Sequence, residues 1–156
     1  MYHNKIIRVI CFTRYNFFYA NYLLSQNRIE EASKIIESGV DILEANLLLH
    51  QTQVWLKEGK TKKITTIFDC KNPNHLIGEF FYLISNLQSS EENYALSNFY
   101  LNLSLYLNSD FIFNNALLAE NYFYLEDYQN SKKIYLKFDF KNSIYGWHAI
   151  KRLAWI

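Results

Sequence analysis

The stretch FYLISNLQSSEENYALS (81–97) returns 34 residues later as NALLAENYFYLEDYQNS (115–131). Ile84 aligns with Leu118, Ser85 with Ala119, Tyr94 with Tyr128 and Ser97 with Ser131; just beyond, Leu101 aligns with Tyr135. Each pair matches in size or chemistry. Self-similarity at such a period marks stacked supersecondary units, none of which can bury its apolar face alone. Within each unit one small residue (Ser85, Ala119) lets a first helix approach its neighbour closely. A second (Ser97, Ser131) does the same for a second helix, and the aromatic between them (Tyr94, Tyr128) is expected to plug the turn.

The N-terminal third carries the same pattern: Ala20 and Leu23, then Asn27, Ile29, Ala32, Ile36 and Gly39. A degenerate unit follows. Its first helix reads from Ala45 to Glu58, with Leu48, Leu49, Thr52, Trp55 and Leu56 at helical spacing. Gly59 sits at the turn. The second helix, Thr61 to Phe68, is short and rich in β-branched residues, which are poor helix formers. Asp69 to Asn74 reads as a loop, with Pro73 near the first turn of the next helix. Aligned this way, the units start near residues 13, 45, 78 and 112, spaced by 32, 33 and 34.

The prediction is one all-α domain over 1–156, a right-handed solenoid of antiparallel helix pairs with about nine helices. The pairs span 13–44, 45–77, 78–111 and 112–145, with a partial unit at 146–156. The last helix, from Ile144, carries Trp147, Ile150, Leu153, Ala154 and Trp155 and is apolar on too many sides for a solvating cap. Either the chain is a piece of a longer array, the favoured reading, or this end docks on a partner.

Composition narrows the function classes. Half of the residues are hydrophobic, enough for a core, and one Pro and four Gly are too few for an all-β sandwich. The net charge of +1 comes from scattered acids and bases, without the basic stripe of a nucleic-acid binder. Cys11 and Cys70 form no paired motif. Met1 to Phe12 is interrupted by Lys5 and Arg8 and does not read as a signal peptide. Asn93 to Ser109 lacks charge but is too rich in Asn and Ser for a membrane span. These features leave the compartment unassigned, with the cytoplasm as default.

No catalytic constellation emerges. His3, His50, His75 and His148 form no pair at i,i+3 or i,i+4, and Cys70 with His75 falls short of a zinc site. Glu30, Glu31, Glu91 and Glu92 fall where turns lead into second helices, and the helix dipole favours acids there. There is no G-x-S-x-G elbow, S-x-x-K motif, Walker A loop or G-x-G-x-x-G. Lys60, Lys62 and Lys63 read as a solvated turn. The aromatics Tyr19, Tyr22, Phe81, Tyr94, Tyr122, Tyr128 and Tyr135 are expected mainly in the core. No enzyme activity, metal or cofactor is expected.

Residues 17–23 (Phe-Phe-Tyr-Ala-Asn-Tyr-Leu) through Glu31-Ala32, and Gly78 through Ile156, resemble tetratricopeptide repeat proteins. The C-terminal half is similar, more narrowly, to larger repeat proteins of alphaproteobacteria, through Asn102–Phe111, Leu117–Tyr122 and Ile150–Ala154. Ser97 and Ser131 replace the usual Ala, and Ile64 stands in the corresponding place of the second unit. The resemblance implies a scaffold that holds a protein or peptide in a concave groove. Some members look exported to the cell envelope, which would need a further N-terminal region. The ninth residue of each first helix faces that groove in such arrays: Asn21, Gln53, Asn86 and Glu120. Asn46, Glu79, Tyr82, Phe113, Phe123 and Tyr124 are neighbouring groove positions. The lysine and arginine clamp that holds a C-terminal carboxylate is not expected, because Phe17, Glu79 and Leu83 occupy its places. A second reading makes the chain an assembly segment, self-associating through Ile6–Phe12 and Trp147–Ile156.

Overall fold

A computed structural model describes residues 3–42, 47–141 and 143–156, with side chains from 14–40, 47–141 and 143–156. Among them are nine α-helices and no strand: α1 (His3–Ser25), α2 (Ile29–Ile42), α3 (Leu47–Lys57), α4 (Thr61–Ile67), α5 (Pro73–Ser90), α6 (Tyr94–Leu107), α7 (Asn114–Tyr124), α8 (Tyr128–Tyr135) and α9 (Ile144–Leu153). The all-α expectation and its helix count are met. Where the sequence suggested one continuous domain, the contacts gather into two compact units, Met1–Lys71 and Asn72–Ile156. The division falls inside the stretch expected to be a loop.

One local device recurs in both units. Asn27, Gly59, Glu92 and Glu126 have positive φ, between 61° and 71°, and each follows the first helix of a pair. Each sits in a Schellman closure, in which the next residue donates its N–H five residues back. These bonds are Arg28 N to Leu23 O, Lys60 N to Trp55 O, Asn93 N to Gln88 O and Asp127 N to Tyr122 O, all 2.8–2.9 Å. The left-handed residues themselves donate three back, to Leu24, Leu56, Ser89 and Phe123. They lie 32, 33 and 34 residues apart, the spacing read from the sequence.

In the first unit, α1 packs on α2, α3 and α4. Ala20 and Ala32 are completely buried where α1 meets α2, among Phe17, Leu23 and Ile36. Burying a side chain such as Leu23 contributes about 1.5–3 kcal/mol. α1 begins well ahead of residue 13. α4 is only seven residues long, and its Ile64 is buried against the rest of the unit. The lysine-rich turn is partly used internally: Lys60 pairs with Glu58 at 2.8 Å, and Lys63 lies over the Trp55 ring at 4.8 Å.

In the second unit, α5 and α6 form the most extensive pair, α6 and α8 flank α7, and α9 packs on α8. Asn72 caps α5, accepting from Asn74 N, and Pro73 occupies the first turn, where no N–H is needed. The small-residue seams form as expected. Ser85 Oγ donates to Ser97 O at 3.0 Å, and Ser131 Oγ donates to Ala119 O at 2.9 Å. All four residues are completely buried. Ser143 caps α9 through Gly146 N.

Two expectations need correction. Glu91 caps the C-terminal end of α5 and Glu92 is the left-handed residue after it, so neither enjoys a helix N-terminus; Glu30 and Glu31 do lie in the first turn of α2. Of the aromatics assigned to the core, only Tyr135 is fully buried. Tyr19, Tyr22 and Tyr128 are exposed, because their helices turn those positions outward. The turn plugs Ile29 and Tyr128 are likewise exposed, and Tyr94 is half-buried. Backbone hydrogen bonds, not side-chain plugs, close these turns.

Candidate interaction face

The ten groove positions meet different fates. Asn21 is only 2 % exposed and donates Nδ2 to Ile64 O at 2.8 Å. It ties α1 to the short α4 and presents no surface to a partner, a correction to its groove assignment. Asn46 lies outside the described residues. Gln53 is half-buried in a small cleft of about 120 Å³ between α2 and α3, beside Ser33, Glu37 and Lys57. Phe113, a neighbouring groove position, is buried against Phe111 and Tyr145.

The remaining six belong to the second unit and keep partial exposure. Glu79, Tyr82 and Asn86 stand on α5 at successive turns, half-buried, with Asn86 Nδ2 3.5 Å from Tyr82 Oη. On α7, Tyr124 is 54 % exposed and stacks on Tyr94 at 5.2 Å. Phe123 meets Tyr128 edge-on at 5.5 Å. The α7 end of this face is thus built of stacked aromatics, large contact area that costs little side-chain entropy to hold.

Glu120, 34 residues after Asn86, has a setting the sequence did not reveal. Its Oε1 accepts from Arg152 Nη2 at 2.8 Å and lies 3.3 Å from His148 Nε2, so α9 is pinned to α7. Burial pushes the Glu120 carboxyl up, but the His148 hydrogen bond and the Arg152 charge outweigh it. The net effect holds it below its ordinary 4.5. Arg152 is raised despite burial, because Glu120 lies beside it. Tyr135 lies against the His148 ring, 6.2 Å between centroids. Its hydroxyl is buried without a hydrogen-bond partner among the described residues, and burial, then the Glu120 charge, drives the phenol far above its ordinary value.

A second feature missed by the sequence reading is Asn121, completely buried beside Glu120. Its Nδ2 donates to Ser97 Oγ at 2.7 Å and Asn98 Oδ1 at 2.9 Å, and its Oδ1 accepts from Ser89 Oγ at 2.7 Å. One amide therefore joins α5, α6 and α7. An Asn one residue after a groove position could have suggested it, since the adjacent position on an amphipathic helix turns inward.

Chemically, the face offers an amide, phenol rings and a carboxylate already neutralised by its neighbours. Among the described residues, no three His, Cys, Asp or Glu side chains converge as a metal site would require, and no helix is long and apolar enough to cross a membrane. No protein family, curated protein or solved structure matches the chain.

Proposed function

We propose that the chain is a tetratricopeptide-like repeat scaffold without catalytic activity, and that its second unit holds a peptide or protein segment on the face of α5 and α7. The observation that carries this reading is the stack of exposed Tyr124 on half-buried Tyr94, in the same unit as the half-buried Tyr82–Asn86 pair. The repeated left-handed closures at 32- to 34-residue spacing favour the repeat class. Glu120 serves the face by position: its charge is spent on Arg152 and His148, which hold α9 in place. Peptides selected by display against the immobilised chain provide the test. The double variant N86A/Y124A should bind them at least about tenfold more weakly, with unchanged helicity by circular dichroism. Equal binding by the variant rejects this face.

A specific observation also supports the assembly reading. Trp147 and Trp155 (77 % exposed) leave apolar surface at α9 and just beyond it. Side chains of Ile6–Phe12, the other proposed end, lie outside the described residues. Sedimentation equilibrium decides: a monomer at all concentrations removes this alternative, and association abolished by W147S/W155S supports it.

A further inference from the structure

A different surface of the second unit carries a site of its own. Between α6 and α8, floored by α7, lies an open cleft of about 390 Å³, within the size range of ligand-binding clefts. Leu105, Leu118 and Ile134 supply its apolar floor. Lys133 and Lys137, one helical turn apart on α8 and the residues just after it, stand at its edge, and neither makes an ion pair among the described residues.

The decisive residue is Asn115, which lines this cleft. It is 8 % exposed, yet its side-chain amide has no hydrogen-bond partner among the described residues. The amide is therefore open to an occupant of the cleft, as both donor and acceptor. The surrounding groups are also half-used. Asn102 donates Nδ2 to Asn98 O and Asn130 donates Nδ2 to Asp127 Oδ2; both residues are exposed, and neither carbonyl oxygen is paired among the described residues.

We infer that this cleft binds an extended peptide carrying an acidic side chain. The Asn115 amide, both a donor and an acceptor, matches the N–H and C=O of a peptide backbone. The Asn102 and Asn130 oxygens accept from further backbone N–H groups, and the floor takes one apolar side chain. Lys133 and Lys137 hold the carboxylate by charge-assisted hydrogen bonds. Two lysines in an otherwise neutral cleft match one or two carboxylates and are too few for a nucleic-acid backbone. The site does not depend on the α5–α7 face and stands or falls separately.

The test is an amide NMR titration of the full chain with acetyl-Glu-Leu-Glu-amide, acetyl-Gln-Leu-Gln-amide and sodium acetate. The acidic peptide should shift the Asn115 side-chain amide and the backbone around Lys133–Lys137. The Gln peptide should bind about tenfold or more weakly. K133Q/K137Q, which alters exposed side chains only, should lose the acidic peptide by a similar factor, while N86A/Y124A binds it unchanged. No shift at Asn115, an equal response to the Gln peptide, or acetate binding as tightly as the peptide would each overturn the assignment.

Discussion

Asn121 donates its side-chain amide to the Ser97 hydroxyl, 2.7 Å away and 24 residues earlier, inside a core where buried serines and asparagines sit among leucine and aromatic side chains. Ser97 is at the same time 2.9 Å from the Ser85 hydroxyl. Removing the amide takes a partner from polar groups on two helices at once, Ser89 on α5 and Ser97 and Asn98 on α6. Asn121→Ala should destabilise the second unit by about 2–3 kcal/mol. Gln129→Ala, on an exposed position, should change stability by less than about 0.5 kcal/mol. Urea unfolding followed by circular dichroism measures both, and equal effects would deny Asn121 its joining role.

The left-handed turns make a second prediction. A side chain at positive φ costs about 1–2 kcal/mol, part of which glycine recovers. Glu92→Gly and Glu126→Gly should each stabilise the chain by about 0.5–1 kcal/mol. Gly59→Ala should cost about 1–2 kcal/mol, although nothing stands within 4 Å of the added methyl, so the penalty is purely backbone. Thermal melts of the three variants check the opposite signs.

Tyr135→Phe should be tolerated or stabilising, by up to about 1 kcal/mol, since the deleted hydroxyl is buried without a partner among the described residues. A loss of stability on this change would mean that the hydroxyl is bonded in solution.

Acid should loosen the α7–α9 junction. Because the Glu120 carboxyl is held below its ordinary 4.5 in the folded chain, its stabilising contribution is complete above that value. The contribution is lost as pH falls through the lowered folded value. The stability gap between the wild type and Glu120→Gln should therefore narrow below about pH 4.5. Urea midpoints across the acid range record it, and a gap that widens toward low pH would contradict the Glu120–Arg152 pairing.

The helices and their turns were legible in the sequence because they rest on local rules. The period came from small residues at Ala20, Ala32, Ser85, Ser97, Ala119 and Ser131, all completely buried, and the weak α4 from its β-branched residues. The face was legible only in part. Repeat position proposed Asn21 for the surface, but the seven-residue α4 brings the Ile64 carbonyl onto it. The partners of Glu120 were invisible, since His148 and Arg152 lie 28 and 32 residues away on a helix whose docking no local pattern specifies. Gly146 went unread for the same reason: a methyl there would overlap the Asp139 carbonyl, a close approach that only the fold creates.

The four turns close through hydrogen bonds that reach back no more than five residues, and among the described residues the main helix contacts join helices one to three places apart along the chain. During synthesis each of these turns can close soon after it clears the ribosome. Such a chain should regain its helices quickly after dilution from denaturant, in the microsecond-to-millisecond range of proteins rich in short-range contacts.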